Sequence, residues 1–159
     1  MEERTSEFAN KTVQIKRVSK TTKGGKLMRL AACSVVGDMK SKVGVGFGKS
    51  QEVASAVKKS QNKAMKNMIE IKLRENTIPH RVMGKCGASK VFIRPAVPGT
   101  GIIACETVRN ILELGGVKDA LTKTFGSNNR GNVAKATINA LSQLRTLKEI
   151  AKMRGLWGN

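Results

Sequence analysis

The segment with the most recognisable chemical pattern is V-G-V-G-F-G-K-S, at Val43–Ser50, which ends like a nucleotide-binding phosphate loop. Such a loop needs its first glycine five residues before the glycine of Gly-Lys, and Val43 stands there instead. Valine and phenylalanine alternating with glycine predict a strand, whereas a phosphate loop must curve into a cradle of amides. We therefore expect a strand whose glycine face lets another backbone, of protein or RNA, come close. A nucleotide hydrolase built on Gly48, Lys49 and Ser50 stays open as an alternative.

The other residue types that could do chemistry are isolated. His80, the one histidine, has no cysteine or carboxylate at a ligand-like interval, which favours a structural or solvent-facing role. Cys105 lies just inside a predicted helix, but its apolar neighbours predict a small buried core residue rather than a reactive thiol. The three cysteines are odd in number and widely spaced, which is typical of thiols in a reducing compartment. The sequence predicts no catalytic, metal or cofactor site.

Phosphate-binding chemistry is concentrated in one run near the N-terminus. From Lys16 to Arg29 the chain has six basic residues, three hydroxyl side chains, a Gly-Gly pair and no acid. Flexible cations, hydroxyl donors and bare glycine amides are what contact with a phosphate backbone requires. A solvated hairpin tip would leave this charge uncompensated, so we favour RNA as the partner. The RNA-binding residues predicted here are Lys16, Arg17, Ser19, Lys20, Thr21, Thr22, Lys23, Gly24, Gly25, Lys26 and Arg29.

Lysines and polar loops further along the chain extend this predicted RNA surface. One row of lysines recurs at i, i+4 and i+7 of a predicted helix, although such a row is often only a solvated face. The loops 98–101 and 126–132 both precede predicted helices, where free amides can face an anion, although a plain loop-to-helix turn is an equal alternative for 98–101. The additional RNA-binding residues predicted from these segments and from the glycine strand are Lys49, Lys59, Lys63, Lys66, Asn128, Asn129 and Arg130.

The composition also indicates a polyanionic partner. Lys and Arg number 30 against 11 Asp and Glu, and a chain with a net charge of +19 repels itself unless a polyanion neutralises it. An apolar share of 40% is enough for a core and argues against a disordered basic tail. Four Phe, one Trp and no Tyr argue against a platform on which bases stack. The acidic start and the lack of a long apolar stretch predict no signal peptide and no membrane partner.

The first half of the chain is predicted to form strands followed by a helix. Extended segments at 13–18, 26–36 and 43–48 alternate in hydrophobicity and are joined by short turns, which predicts a three-stranded antiparallel meander. A helix over 51–74 follows. Its apolar stripe is predicted to contain Val53, Val57, Ala64, Met65, Met68 and Ile69.

The second half is predicted to begin after Pro79, which forces its predecessor out of helical conformation. A hairpin over 80–96 leads to a helix over 102–114, a strand over 117–125 and a helix over 133–144. A capping box formed by Thr146 and Glu149 predicts a short final helix. The predicted organisation is an N-terminal extension at 1–11, a first module at 12–75, a second module at 76–145, and a C-terminal helix and tail at 146–159.

Four motifs in order resemble the family of the bacterial-type small-subunit ribosomal protein number five. They are V-S-K-T-T-K-G-G-K at 18–26, V-G-V-G-F-G-K at 43–49, P-G-T-G-I-I-A at 98–104 and A-T-I-N-A-L at 136–141. Four motifs in register are specific, and they span nearly the whole chain. The resemblance implies an α+β fold of two small modules. The first would be similar to a double-stranded-RNA-binding domain, with a three-stranded sheet plus a helix, and the second a two-layer βαβα module with a left-handed crossover.

The resemblance also implies a function. Members of this family are structural constituents of the small ribosomal subunit that bind 16S-type ribosomal RNA near the head–body junction, support assembly and influence translational accuracy. They need no cofactor, contact small-subunit proteins four and eight, and lie near the messenger RNA entry path. The implied interface with protein four contains Gly99, Thr100, Gly101 and Arg109. The implied location is the cytoplasm, or the stroma or matrix for an organelle-encoded member. A free double-stranded-RNA-binding chaperone or regulator, resting on the first module alone, is the alternative.

Overall fold

The computed structural model describes residues 8–155, which form an α+β fold with two four-stranded sheets. Parts of the predicted 1–11 extension and 146–159 tail lie outside the described residues. Helix α1 (Val53–Lys66) follows the third strand of the first sheet. This sheet is antiparallel throughout and contains, in spatial order, β1 (Ala9–Thr22), β2 (Gly25–Gly37), β3 (Lys42–Ser50) and β4 (Met68–Glu70).

Helix α1 packs directly on the glycine face of β3. The alternate glycines of β3 are buried, and a Cβ added at Gly46 would overlap the carbonyl oxygen of Ser60. The helix side chains buried on this face are all small, namely Ala56, Ser60 and Ala64. The hydroxyls of Ser34 and Ser60 hydrogen-bond at 2.6 Å across the contact. The predicted close approach of another backbone is confirmed, and that backbone belongs to the chain's own helix.

Three predictions for this first unit are wrong. The helix ends at Lys66 rather than at residue 74, because the chain reverses at Asn67 and residues 68–70 pair with 42–44 as β4. The sheet therefore has four strands rather than three. The apolar residues of β4 continue the helical spacing of α1, so periodicity alone does not reveal the reversal. Val53 and Val57 do not lie on the buried face of α1, because the glycine face of β3 selects small side chains.

The second sheet has the spatial order β5-β6-β8-β7, in which β7 and β8 are parallel and the other pairs antiparallel. Its strands are β5 (Val82–Cys86), β6 (Ser89–Pro95), β7 (Ile102–Ile103) and β8 (Ala120–Gly126). The helices of this unit are α2 (Glu106–Leu114), α3 (Arg130–Leu141) and α4 (Leu147–Met153). The left-handedness of the crossover from β7 through α2 to β8 stays a prediction. None of the helices in residues 8–155 has the length and apolar content that crossing a bilayer requires.

In this second unit the predicted hairpin is confirmed, whereas three boundaries differ. Helix α2 begins at Glu106 rather than at 102, because residues 102–103 pair with β8 as a short strand. Helix α3 spans 130–141 rather than 133–144, because the side chain of Asn129 caps its first turn. Strand β8 begins at Ala120 rather than at 117, because the amide of Val117 donates to the end of α2 and closes a turn.

Three local predictions in this unit can be compared with the structure. His80 has the predicted structural role, since its Nε2 accepts the amide of Arg145 at 3.1 Å and its Nδ1 lies 3.0 Å from the carbonyl oxygen of Arg81. The Thr146 capping box is confirmed. The prediction that Cys105 is buried is wrong, because the late start of α2 makes it the exposed N-cap residue.

The elements stack in four layers: α1, the first sheet, the helix pair α2 and α3, and the second sheet. Helix α2 packs on β1 and β2, and α3 packs on β5 and β6, where Gly84 touches the backbone of Ala136. One hydrophobic cluster runs through both units, from Val35 in the first sheet through Leu112 to Ile93 in the second. Helix α1 covers the outer face of the first sheet, whereas the outer face of the second stays exposed.

Candidate nucleic-acid interface

The hairpin of β1 and β2 carries the basic run predicted from the sequence. Its strands pair from Ala9 opposite Gly37 to Thr22 opposite Gly25, and every residue from 16 to 29 except Val18 is exposed. The turn consists of residues 23–24, and the Thr22 hydroxyl donates to the carbonyl of Gly25 at 3.0 Å. None of the ion pairs recorded among residues 8–155 involves this run. Its charge is therefore available to an external anion.

The strand register divides the cations of the hairpin between two faces. Directly opposite residues of an antiparallel pair share a face. Arg17 and Lys26 consequently lie on the side of α1, whereas Lys16, Lys20 and Arg29 lie on the opposite side. A polyanion that straddles the hairpin meets cations on both faces.

On the face opposite α1, the hairpin leads into a groove of about 270 Å³ between the first sheet and the start of α3. Lys16 and Lys49 flank Ala31 in one row across three strands, about 10 Å apart along the hydrogen-bonding direction. Lys135 enters from α3, with its Nζ 5.0 Å from the centroid of the Phe47 ring. Three lysines thus converge on one concave surface.

Cys33 lines the same groove and leaves its positive charge uncompensated. Burial raises the pKa of the Cys33 thiol to about 11, although the charge of Lys135 acts in the opposite direction. The thiol is therefore neutral at pH 7. The described residues that line the groove include no carboxylate, so its cations are available to neutralise a phosphate.

A second groove of about 290 Å³ continues this cationic path on the other side of Phe47. It lies between α1 and α3, and Lys63 and Lys135 line it together. Phe47 and Lys135 line both grooves, so the two grooves adjoin at β3 and their lysines lie along one continuous path. Lys59 and Lys66 are exposed on α1 beside this path.

Lys135 is the residue of this surface that the sequence analysis does not identify. It stands alone between Ala134 and Ala136 in α3, with no run or spacing of cations around it. Its position matters because α3 packs beside β3 and brings its side chain to Phe47. The proximity of Lys135 to Phe47 arises from tertiary packing, and no local pattern in the sequence predicts it.

The predicted RNA-binding loop before α3 is partly occupied by internal contacts. The side chain of Asn129 accepts a backbone amide of the first helical turn at 3.3 Å. Arg130 donates from Nη1 to the carbonyl oxygen of Val13 at 3.1 Å, and its Nη2 lies 3.1 Å from Oε2 of Glu106. The Arg130 side chain remains 46% exposed. Asn128 is exposed, so this loop reaches solvent beside the groove while fastening β1 to α2.

At the loop 98–101, where the sequence leaves an anion site and a plain turn equally open, two amides already have partners within the chain. The amide of Thr100 donates to the carbonyl of Val97 at 3.1 Å, and the amide of Gly101 donates to Oδ1 of Asp119 at 2.8 Å. Helix α2 begins only at Glu106, so the loop 98–101 does not lead directly into its first turn.

Arg109 lies beside that loop, as the predicted interface requires. Its Nη2 is 3.3 Å from the carbonyl oxygen of Ile102, the residue that follows Gly101, and its side chain is exposed. Gly99 and Thr100 are exposed as well. The assignment of Gly99, Thr100, Gly101 and Arg109 to a protein interface stays a prediction.

The fold and these surfaces define the class of the protein, a two-unit α+β protein with a cationic hairpin and two cationic grooves. Within residues 8–155 no three His, Cys, Asp or Glu side chains gather as a metal site would require. Gly48, Lys49 and Ser50 pair with β2 without a register shift, so they form no phosphate cradle.

Comparisons with known proteins agree with this class. The family model described as ribosomal protein S5, N-terminal domain, matches residues 8–72, and the one described as ribosomal protein S5, C-terminal domain, matches residues 84–154. The chain is 48% identical over 151 residues to the small ribosomal subunit protein uS5 of Fusobacterium nucleatum subsp. nucleatum, covering 95% of this chain and 92% of that protein. It is 49% identical over 150 residues to the protein of the same name from Francisella tularensis subsp. novicida, covering 94% and 90%.

The chain belongs to the ribosomal protein S5 family. The resemblance seen in the sequence is confirmed, and so is the α+β fold of two sheets with helices. The family is one of structural ribosomal proteins, so the protein is not an enzyme. The nucleotide-hydrolase alternative is wrong.

Proposed function

We propose that this chain is a structural constituent of the small ribosomal subunit that binds 16S-type ribosomal RNA near the head–body junction. In this role it supports subunit assembly and affects translational accuracy in the cytoplasm. The relatives' names, small ribosomal subunit protein uS5, support the assignment to the subunit. The observation that carries RNA binding is the exposed hairpin, with six cations, no acid and no internal ion pair among the described residues.

In this proposal the hairpin and the grooves divide the work of binding. Lys16, Lys20 and Lys23 neutralise phosphates at and below the hairpin tip, while Gly24 and Gly25 let the RNA backbone approach. A Cβ at either glycine would meet no atom of residues 8–155 within 4 Å, so these residues leave the space above the turn open. The lysines of the two grooves continue the positive path toward α1. If six to ten phosphates are contacted, affinity falls by about 10³- to 10⁵-fold between 50 and 200 mM salt.

Protein contacts complete the proposal. We assign the exposed loop Gly99, Thr100 and Gly101 with Arg109 to small-subunit protein four, and we add protein eight and the messenger RNA near its entry path as further partners. Arg109 makes one long internal hydrogen bond, so its loss leaves the fold intact. We expect Arg109→Leu to raise misreading by loosening this interface, measured with a stop-codon readthrough reporter. Misreading at the wild-type level, with normal subunit occupancy, would contradict the interface.

The test of RNA binding is sedimentation of tagged variants with ribosomal subunits. Lysate is run through a sucrose gradient before and after a high-salt wash, and each fraction is probed for the tagged chain. We expect Lys23→Glu to lower occupancy of the small subunit several-fold. Lys40→Glu is the matched control, because Lys40 is equally exposed but lies in the turn between β2 and β3, away from the proposed surface.

Three outcomes of the gradient are informative. Co-sedimentation of the wild type that survives the wash supports an integral subunit protein. Wild-type signal at the top of the gradient, bound to other RNA, favours the free RNA chaperone or regulator. Equal occupancy for Lys23→Glu and Lys40→Glu would contradict the assignment of the hairpin.

A further inference from the structure

The outer face of the second sheet is an exposed surface that neither the hairpin nor the grooves include. Along β5 and β6 the side chains alternate between buried and exposed. The buried set packs on α3, whose backbone touches Gly84 from the inner side. The exposed set therefore points away from the rest of the described chain.

Phenylalanine and lysine alternate in a square on this face. Phe92 of β6 lies opposite Lys123 of β8, and Lys90 lies opposite Phe125. Opposite residues share a face, and diagonal neighbours lie about 7–8 Å apart. The two rings thus occupy one diagonal and the two ammonium groups the other. Phe125 is 47% exposed and Phe92 partly exposed.

The surroundings of this square extend the same chemistry. Lys85 lies opposite Lys90, and Met83 lies opposite Phe92. Arg94 lies opposite Leu121 on the far side. Among the described strand residues that share this face there are thus four cations and no acid, whereas the cores of protein interfaces are depleted of lysine. Charge complementarity therefore favours a polyanion over a protein as the occupant.

The aromatic rings specify which form of polyanion fits. Bases in an A-form duplex are stacked on one another and a flat sheet face cannot reach them, whereas unpaired bases can be splayed onto exposed rings. Stacking on aromatic side chains beside cations that follow the backbone is the general mode of single-strand binding. The low count of aromatic residues is misleading here, because two of the four phenylalanines share one exposed face as diagonal neighbours.

We propose that the outer face of the second sheet binds a single-stranded, unpaired segment of ribosomal RNA. Two bases stack on Phe92 and Phe125, and Lys90 and Lys123 neutralise the adjoining phosphates. The inference rests on the proposed function for its source of RNA. It adds a second contact surface that is separate from the hairpin and takes a different form of RNA.

The test uses the full chain and two fluorescein-labelled RNA probes in anisotropy titrations. One probe is an unstructured ten-nucleotide uridine single strand, and the other is a perfectly paired RNA duplex. We expect Phe92→Leu with Phe125→Leu to weaken single-strand binding about 10-fold or more, with duplex affinity within about two-fold of the wild type. Met153→Leu, at an exposed methionine of α4 outside this face, is the matched control and leaves both affinities unchanged.

A second variant and a second readout guard against loss of folding. Phe125→Leu alone removes the more exposed ring and is expected to weaken the single strand about five-fold, at an unchanged melting temperature. Photo-crosslinking of a 4-thiouridine single strand to the wild type is expected at residues of β6 and β8. Conversely, Lys20→Gln with Lys23→Gln in the hairpin lowers duplex affinity and leaves these crosslinks in place.

The outcomes separate this inference from the proposed function. Wild-type single-strand affinity in the double phenylalanine variant would overturn the inference, as would crosslinks confined to the hairpin. Crosslinks from this face to a protein in assembled subunits would overturn it too. If the wild type binds the duplex but not the single strand, the inference about the second sheet is wrong and the proposed function stands. If the wild type binds neither probe, the inference and the proposed function are both wrong.

Discussion

At the scale of single residues, Gly46 determines how closely α1 approaches β3. A Cβ there would overlap the carbonyl oxygen of Ser60 and lie 2.5 Å from the amide nitrogen of Ala64. Both are backbone atoms, which cannot turn aside as a flexible side chain can. The same contact explains why the buried face of α1 is lined by small residues and not by Val53 and Val57.

We expect Gly46→Ala to lower the free energy of unfolding by about 1–3 kcal/mol or more, because overpacking forces the helix away from the sheet. The measurement is a urea titration of the purified chain. Gly24→Ala is the control, since a Cβ there meets no atom of the described part of the chain within 4 Å. Equal stability of the two variants would show that α1 is free to shift outward.

The cysteines differ enough in environment to be distinguished by their reactivity. Cys105 is exposed at the start of α2, whereas Cys33 is buried and burial raises its pKa to about 11. Because the thiolate is the nucleophile, we expect an aromatic disulfide reagent at pH 8 to label Cys105 first and Cys33 last. Cys105→Ala should remove the fast phase of labelling. Loss of that phase in Cys33→Ala instead would contradict the burial.

The same pKa shift makes stability depend on pH in the alkaline range. The folded-state pKa of Cys33 is raised above its ordinary value of 9.0, so the unfolded chain loses this proton first. The protonated thiol stabilises the folded chain fully below about pH 9, and this stabilisation is lost as pH rises toward 11. The free energy of unfolding falls by roughly 2–3 kcal/mol over that range. The free energies of unfolding of the wild type and Cys33→Ala, measured by urea titration, should therefore approach each other over that range. A constant difference between them would rule this out.

At the scale of elements, the link between β1 and α3 depends on an irregularity in the first sheet. The pairing of β1 with β2 shifts register between Thr12 and Gln14, which leaves Val13 as an extra residue in the strand. A β-bulge of this kind turns nearby backbone groups away from the hydrogen bonds that join the two strands. The carbonyl of Val13 accepts from Arg130, whose guanidinium also pairs with Glu106 of α2.

We expect Arg130→Met to lower the free energy of unfolding by about 1.5–3 kcal/mol, since it removes a hydrogen bond from a charged donor to the Val13 carbonyl. Glu106→Gln removes only the ion pair, whose carboxylate is 66% exposed, and should change stability by less than about 1 kcal/mol. Thermal unfolding at low salt compares them. If Glu106→Gln were as unstable as Arg130→Met, the stabilisation by Arg130 would come from its ion pair and not from its hydrogen bond to Val13.

Elements with a local cause could be predicted from the sequence, and elements with a tertiary cause could not. The β5–β6 hairpin and the Thr146 capping box follow from turn and cap residues within a few positions. Strand β4 and the late start of α2 instead depend on pairing with β3 and β8, which are distant in sequence. Apolar periodicity near these segments fits a helix equally well.

The candidate site divides in the same way. The cationic hairpin is visible in the sequence because charge, hydroxyls and a turn are contiguous from 16 to 29. Lys135 is invisible because it joins the groove only when α3 packs beside β3. The square of Phe92, Phe125 and two lysines likewise emerges only from the register of β6 and β8.

At the scale of the whole molecule, the two sheets share one core. The helix pair α2 and α3 is buried from both sides, and one cluster joins Val35 in the first sheet to Ile93 in the second. At Gly37 a Cβ would overlap the backbone of Leu114, so β2 and α2 are also in backbone contact. A unit that lost its neighbour would expose one wall of this core.

We expect the free chain to unfold in a single cooperative transition, with equal calorimetric and van't Hoff enthalpies, because neither sheet buries its inner face alone. Val35→Ala and Ile93→Ala test this from opposite sheets, since both side chains are fully buried. Each variant should shift the whole transition to lower temperature. We expect Ile93→Ala, which truncates the larger side chain, to lower the free energy of unfolding by about 2–5 kcal/mol. If Val35→Ala lowers one of two resolved transitions and Ile93→Ala the other, the sheets unfold independently and the shared core does not couple them.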